Sequence, residues 1–432
     1  MATTGLASST ASEFDAVTPP RPSSLPREIL EKLLVNLDDE IKDLQSNSGK
    51  ENGIDLEGLQ FFQRTADYIA AAMISLRSNS LLTRILKKDD IKRRLLGHWP
   101  GHGAPALLAT LYMEGAITRF SPQYSLNKSG LESFIRAFSI PGGFPSHVNA
   151  ETPGAIHEGG ELGYCLAVAS GSIMDKPDLI AVAVIGNGES ETGPTATAWH
   201  AHKFIDPAES GAVLPILHVN GYKIGERTIP GTMDNMELGA LYTDYGYQVR
   251  IVEYGKDESD PESDVRINYD MAASMEWAWR EIRKIQSAAR SHKPIVKPRW
   301  PLIILRSPKG WGGAKHMDGK PIEGSWRSHQ EELFNAEVDS DRREAHHQGR
   351  MADGIISEKA LRIIPKNQKH RMGMAEASGR LLIAPEWKDF GRQKDEVISN
   401  MKAVGDYVKR IIELNPNSFR VFSPDELSSK QA

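Results

Sequence analysis

The chain has 432 residues, roughly two to three times an average domain, so it can bury one large core and still carry extensions. Its 52 Lys and Arg against 57 Asp and Glu give a net charge of −5, which excludes nucleic acid and anionic membrane as main partners on electrostatic grounds and favours a small molecule. Its single cysteine, Cys165, excludes an intramolecular disulfide and a Cys-rich metal site, so we expect a reducing, cytoplasmic location.

The N-terminal region divides into a polar tail and two helical segments. The first 26 residues are rich in Ser, Thr, Ala and Pro, and no basic residue precedes Arg21, which predicts a disordered tail rather than a targeting peptide. Helical spacing then predicts a short amphipathic helix carrying Leu30, Leu33, Leu34, Leu37 and Ile41. A second helical pattern runs over residues 56–91. No apolar run in the sequence approaches the roughly 20 residues that span a bilayer.

The middle of the chain alternates strands and helices. Apolar runs predict strands at 179–185, 214–219, 247–252 and 302–305, and helices are expected at about 192–204 and 269–291. Apolar strands without polar alternation indicate a sheet that is covered on both faces, as parallel sheets are. We therefore predict a doubly wound, mostly parallel α/β domain over 27–330, with a helical lead-in at 27–96. Residues 331–432 are predicted to be a charged extension with one helical stretch at 404–414.

Two glycine-containing turns follow neighbouring predicted strands. The first is Gly186-Asn187-Gly188-Glu189, and Val219-Asn220-Gly221-Tyr222 ends the next strand. In an open α/β sheet, ligands bind at this edge, where glycines let backbone N–H groups approach a diphosphate and oxygen side chains hold a divalent ion. An ordinary turn is the alternative for either motif alone, and the pairing at this spacing favours the ligand site.

Histidines beside glycine, proline or serine form the next group of candidates. They are His98, His102, His147, His157 and His329. The alternative for each one is a capping or core histidine. His157 and Glu161 have the spacing of a helical metal pair, but two adjacent glycines and the lack of a second histidine disfavour a zinc site.

One lysine also stands at a predicted strand end. Lys309 lies in a glycine-flanked loop, where it suits a phosphate, although a surface lysine in a turn explains that segment equally well.

Read in order, these segments resemble the thiamine-diphosphate-dependent phosphoketolases that act on xylulose 5-phosphate and fructose 6-phosphate. The resemblance runs with gaps from about residue 56 to residue 432. Its segments are 94–99 (RLLGHW), 100–103 (PGHG), 138–143 (FSIPGG), 151–163 (ETPGAIHEGGELG), the helix around Trp199 and 327–330 (RSHQ). It implies a thiamine-diphosphate-binding fold of the diphosphate-binding type. It further implies a lyase of carbohydrate metabolism that cleaves a ketose phosphate with inorganic phosphate to acetyl phosphate and an aldose phosphate, in a homo-oligomer.

The resemblance also assigns roles to individual residues. Proton transfers would fall to His98, His102 and His147. The cofactor would be contacted by Gly160, Gly186, Gly188, Glu189 and Lys309. Substrate or inorganic phosphate would face His329 and Gln330. A Mg²⁺ ion would be held by Asn187, Asn220 and the carbonyl of Tyr222.

Several departures from the family pattern accompany the resemblance. Asn187 stands where the family has an aspartate, so magnesium affinity should fall. Trp99 runs straight into Pro100 where the family has a loop, a helix and a core strand, which predicts an exposed apolar sheet edge and self-association. The sequence covers about half of a family chain and matches neither the pyrimidine-binding domain nor its glutamate. The alternative to an enzyme half is therefore an inactive remnant that serves as a ligand-binding or dimerisation module.

Overall fold

A computed structural model describes the chain in several stretches. They are residues 34–48, 53–77, 79–84, 87–90, 103–149, 152, 155, 161–254, 263–311, 316–317, 319–330, 356–368, 382–391, 400–416 and 418–421. The α-helices span Asp38–Asn47, Leu56–Ser75, Ala104–Met113, Ala116–Phe120, Lys128–Arg136, Cys165–Ile173, Asn187–Ser190, Gly193–Ala198, Ile229–Thr232, Asn235–Asp244, Ser263–Arg290, Arg327–Gln330, Glu358–Leu361 and Asn400–Leu414. Turns of 3₁₀ helix span Lys88–Asp90, Pro122–Tyr124, Ala201–Phe204 and Trp387–Phe390.

The central sheet has four strands, and all of its pairings are parallel. The strands are β1 (Ile180–Gly186), β2 (Ala212–Val219), β3 (Tyr247–Glu253) and β4 (Trp300–Arg306), in the spatial order β1-β2-β4-β3. A separate antiparallel pair joins β5 (His316–Met317) to β6 (Lys320–Pro321). The predicted parallel α/β fold is confirmed, because apolar β-branched runs form the central strands and helices cover them.

Helices pack on the sheet to form one hydrophobic core. Helix Cys165–Ile173 packs on β1 and β2, while the long helix Ser263–Arg290 packs on β3 and β4. Trp199 is buried beside this sheet, with its ring 4.8 Å from the ring of Tyr242. The Tyr247 hydroxyl donates a 2.8 Å hydrogen bond to the Trp199 carbonyl, which ties the segment after β1 to β3.

A second core is built from helices. Leu56–Ser75, Ala104–Met113 and Lys128–Arg136 contribute to it, and the rings of Tyr112 and Phe134 stack at 4.6 Å. The region predicted to be a charged extension contributes as well, because Ile356 and Ala360 are buried in this cluster. Ion pairs reinforce that contact, joining Arg362 to Asp55 and Lys359 to Glu57. The predicted domain boundaries at 26 and 330 stay predictions.

Three predicted helices are shorter than their periodicity indicated. Leu34 forms a parallel bridge to Val249 rather than a helical turn, and the first described helix begins only at Asp38, where Asn36 accepts its N–H. The pattern over 56–91 ends as a helix at Ser75. The predicted helix at 192–204 breaks after Ala198, where the Trp199 carbonyl turns to the Tyr247 hydroxyl.

Among the described residues, no strand pairs with the outer side of β1, and we name this side the β1 edge, residues 180–186. Strand β1 pairs only with β2, and its side chains of Val182 and Val184 are 48% and 60% exposed. The predicted exposed apolar sheet edge is thereby confirmed, whereas self-association stays a prediction. Among the described helices, none combines the length and the apolar character that a membrane crossing needs.

Candidate functional site

The carboxyl ends of β1, β2 and β4 lie side by side. In register, Gly186 of β1 is opposite His218 of β2, and Val219 of β2 is opposite Arg306 of β4. The Ser307 N–H donates to the Val219 carbonyl at 3.2 Å, which carries the pairing one step past the strands. Because parallel strands end at the same edge, the loops after residues 186, 219 and 306 meet there. We name this place the carboxyl edge.

Asn187 anchors the first of these loops. Its side chain is 2% exposed, and its amide Nδ2 donates a hydrogen bond to the Thr228 hydroxyl. Thr228 Oγ1 also accepts the N–H of Gly231 at 3.0 Å, as the cap of the short helix Ile229–Thr232. The Asn187 side chain therefore links the end of β1 directly to the loop that follows β2.

The loop after β2 folds tightly on itself. Asn220 Oδ1 accepts the N–H of Tyr222 at 3.0 Å, and Gly221 has a φ of +89°, a conformation that favours glycine. A side chain on Gly231 would strike the Gly221 carbonyl at 2.5 Å. Tyr222 then pairs with Arg227 across an antiparallel bridge. The loop is thus fixed by its own backbone contacts.

Lys309 reaches into that loop from the end of β4. Its ammonium donates to the carbonyl oxygens of Lys223 and Ile224, the latter at 2.8 Å, and lies 5.8 Å from the centre of the Tyr222 ring. The residue is only 7% exposed, and this burial lowers the pKa of Lys309 to about 8. A lysine that the sequence left open between surface and site is therefore a buried cation at the carboxyl edge.

The two glutamates that follow Asn187 are both engaged. Glu189 Oε1 accepts the N–H of Gly163 at 3.0 Å and that of Cys165 at 3.4 Å, at the start of helix Cys165–Ile173. Glu191 pairs with the ammonium of Lys223 and accepts the Ile229 N–H at 2.6 Å. The charge of Glu189, together with burial as the larger cause, raises the pKa of the Cys165 thiol to about 11. Glu189 positions backbone in this structure, and its predicted contact with a cofactor stays a prediction.

The donor set of the carboxyl edge suits an anion. A side chain added at Gly186 or Gly221 would meet open space, and at Gly188 it would only touch the stem of Lys223 at 3.6 Å. A negatively charged group can therefore approach the backbone beside a buried ammonium. A divalent cation fits less well, because Asn187 is neutral and its amide nitrogen faces Thr228. Nowhere in the described stretches do three His, Cys, Asp or Glu side chains group so that they could hold a metal ion.

The structure describes only some of the remaining predicted site residues. His147 is half-buried, with its Nδ1 3.1 Å from the hydroxyl of Ser146. His329 and Gln330 lie in the short helix Arg327–Gln330, and Ser328 of that helix limits the space at Gly310, next to Lys309. The other candidates, His98, His102, His157 and Gly160, lie outside the described residues. Their predicted roles stay predictions, as do those of the placed residues.

Sequence reasoning missed three residues that shape the carboxyl edge. These are Thr228, Glu191 and Lys223, each of which bonds to a loop other than its own. Thr228 carries a local signal, since a threonine two residues before Pro230 marks a helix cap. Its bond to Asn187 spans 41 residues and leaves no mark in either segment. A second missed pair joins His218 Nε2 to the Ser307 hydroxyl at 2.7 Å, and burial lowers the pKa of His218.

Comparison with known proteins identifies relatives. The family model described as "XFP N-terminal domain" matches residues 50–99 and 100–377. A "Probable phosphoketolase" of Schizosaccharomyces pombe is 43% identical over 439 residues, covering 91% of this chain and 52% of that protein. One from Synechocystis is 38% identical and covers 87% of this chain and 52% of that protein. The chain spans about half the length of the curated relatives it matches.

Two further observations belong to these comparisons. The family match divides between Trp99 and Pro100, the position at which the resemblance places a further strand in the family. Among solved structures, a transketolase from Campylobacter jejuni is 17% identical with a TM-score of 0.49, covering 86% of this chain and 60% of that chain. A transketolase from Pichia stipitis is 18% identical with a TM-score of 0.45, covering 84% and 55%.

Proposed function

The chain belongs to the family of XFP N-terminal domains, the N-terminal part of phosphoketolases, and from this premise we propose that it binds the diphosphate end of thiamine diphosphate. The observation that carries the proposal is the carboxyl edge, where open glycines and the buried Lys309 ammonium lie beside tightly folded loops. When bound, thiamine diphosphate supplies the carbanion chemistry by which a ketose phosphate is cleaved.

The protein's own residues have separate tasks in this proposal. Lys309 neutralises part of the diphosphate charge, because a poorly hydrated ammonium attracts an anion more strongly than an exposed one does. Glu189 fixes the backbone at Gly163, next to the start of helix Cys165–Ile173. Asn187 and Thr228 hold the two loops together. Cleavage of xylulose 5-phosphate or fructose 6-phosphate by inorganic phosphate, in a cytoplasmic homo-oligomer, completes the proposal and rests on the family.

The proposed site does not include a Mg²⁺ ion. The three predicted ligands, Asn187, Asn220 and Tyr222, are all neutral, and the Asn220 oxygen already accepts a backbone N–H. Hydrogen bonds from Asn187 to Thr228 and from Gly231 to Thr228 join the loops directly.

Calorimetry with three related ligands tests the proposal. Thiamine diphosphate should bind, thiamine monophosphate should bind more weakly, and thiamine should not bind measurably, because the diphosphate supplies the recognised charge. Lys309→Met should weaken thiamine diphosphate binding by about tenfold or more, whereas the exposed control Lys284→Met should not change it. Equal binding of thiamine and its diphosphate, or no binding of either, would contradict the proposal.

The open β1 edge favours a second candidate, a non-catalytic dimerisation module. Its exposed valines offer an apolar surface that a dimer could cover. The two candidates differ in turnover. Acetyl phosphate formed from fructose 6-phosphate and inorganic phosphate, with thiamine diphosphate and Mg²⁺ added, can be trapped as hydroxamate. Turnover above a heat-killed control would eliminate the non-catalytic module, whereas dimerisation without turnover would favour it.

A further inference from the structure

We infer that two direct tethers hold the carboxyl edge in its binding shape and that this chain therefore binds the diphosphate without a divalent cation. The inference rests on the proposed function and goes beyond it, since it states which charges recognise the ligand. The first tether is the amide of Asn187, and the second is the ammonium of Lys309.

The first tether depends on an amide at position 187. Asn187 Nδ2 is a donor, and Thr228 Oγ1 accepts its hydrogen while also accepting the N–H of Gly231. Both side chains are buried, so this bond is not exchanged with water. A carboxylate has no hydrogen to donate, so an aspartate could only accept the Thr228 hydroxyl hydrogen, and it would bring a negative charge into this buried place. The residue that departs from the family pattern thus joins the ends of β1 and β2 by itself.

The second tether places a positive charge in the same space. Lys309 Nζ bonds to two carbonyls in the loop that also contains Tyr222, one of the predicted metal ligands. An ammonium 5.8 Å from the Tyr222 ring repels a second cation in this loop, and low exposure leaves that repulsion poorly screened. The same ammonium attracts a diphosphate. Lys309 therefore favours the anion and disfavours the ion that would accompany it.

The nearby carboxylates do not restore a metal site. Glu189 accepts two backbone N–H groups, and Glu191 accepts one and pairs with Lys223. Moving Glu189 toward an ion would weaken its contacts with the backbone at Gly163 and Cys165, and moving Glu191 would break its pair with Lys223. The three ligands that the resemblance proposes, Asn187, Asn220 and the carbonyl of Tyr222, are neutral. Such a set binds Mg²⁺ poorly compared with carboxylates.

Calorimetry of the full chain in excess EDTA and in excess Mg²⁺ tests this inference. Wild-type affinity for thiamine diphosphate should agree within about threefold between the two buffers. Asn187→Asp should bind weakly in EDTA and recover by about tenfold or more in Mg²⁺, because its carboxylate repels the diphosphate until the cation neutralises it. The matched control is Asn127→Asp, the same exchange at an exposed helix cap that either residue can form, and it should behave as wild type.

The outcomes distinguish failure of the cation-free inference from failure of the proposed function. Wild-type binding that disappears in EDTA and returns with Mg²⁺ would overturn the cation-free inference and leave the proposed function standing. Absence of binding in both buffers would overturn both. A second measurement uses the wild type alone, so that a misfolded variant cannot affect it. In spectra that report bound Mn²⁺, a mixture of the chain and thiamine diphosphate should bind no more ion than thiamine diphosphate binds alone. An additional tightly bound Mn²⁺ would contradict the inference.

Discussion

The two edges of the sheet differ in what covers them and in the residues of their strands. On the outer side of β3, Leu34 bridges to Val249, and the Val35 N–H donates to the Val249 carbonyl at 2.9 Å. On the outer side of β1, Val182 and Val184 are 48% and 60% exposed. An edge strand is normally short, charged or covered. Only the β3 edge follows that rule, while β1 carries no charge at all.

The open β1 edge accompanies a division in the family match. The family match divides at residues 99 and 100, where the resemblance places another strand, and the open edge lies on β1. The carboxyl ends of β1, β2 and β4 nevertheless keep their register and their cross-loop bonds. The loops of the carboxyl edge are therefore joined to one another although the neighbouring β1 edge is exposed.

The largest expected effect is a difference in unfolding free energy between variants at the two edges. Leu37 is 2% exposed in the core beside the β3 edge, so Leu37→Ala should lower the free energy of unfolding by about 3 kcal/mol through the cavity it leaves. Val184→Ala at the β1 edge should cost less than about 0.5 kcal/mol. Urea unfolding followed by circular dichroism measures both. Equal losses would show that the two edges are packed alike.

A smaller effect is expected from the polar cover of the β3 edge. Arg250 pairs with Asp270 and donates to the Val35 carbonyl at 3.1 Å, which holds the added segment against the sheet. Arg250→Met should cost about 2 kcal/mol, because it leaves Asp270 largely buried without its partner. Arg410→Met breaks an exposed pair with Glu413 and should have no measurable effect in the same urea experiment. Similar losses in both variants would contradict a special role for Arg250.

The carboxyl edge should show a pH dependence that neither side edge shows. Burial lowers the pKa of Lys309 to about 8, and an unfolded lysine titrates near 10.4, so between these values the unfolded chain binds more protons. This group therefore makes the folded state more stable as pH rises from about 8 to about 10. Lys309→Met should remove that contribution, and the exposed control Lys284→Met should keep it. Identical slopes of unfolding free energy against pH in wild type and Lys309→Met would contradict the burial of the ammonium.

The smallest change in unfolding free energy is expected for a variant that should clearly weaken self-association. Val184→Lys places a charge on the open β1 edge, which should leave the unfolding free energy nearly unchanged and shift the chain toward monomer. Light scattering at micromolar concentration measures the mass, and Val296→Lys at another exposed site is the control. A wild-type chain that is already monomeric would contradict self-association through β1.

The central strands could be predicted from sequence because apolar residues form most of each strand, and observed bounds differ by no more than two residues. The position of Leu34 could not be predicted in this way. Its spacing from the neighbouring leucines is that of a helix, but in the folded chain Leu34 forms a parallel bridge to Val249 of β3. The loops of the carboxyl edge were predicted from their glycines and asparagines. Their tethers were not, because Asn187 with Thr228 and Lys309 with Ile224 are brought together only by the folded chain.

Hydrogen exchange with and without thiamine diphosphate tests the central claim most directly, because it compares the carboxyl edge with both side edges in one experiment. We expect the ligand to slow exchange at residues 186–190, 220–228 and 307–311. With or without ligand, exchange should stay fast at the amides of 180–185 that face away from β2 and slower at those of 247–253 that face Leu34 and Val35. Protection confined to another part of the chain, or none at the three loops when the ligand is saturating, would contradict a diphosphate site at the carboxyl edge.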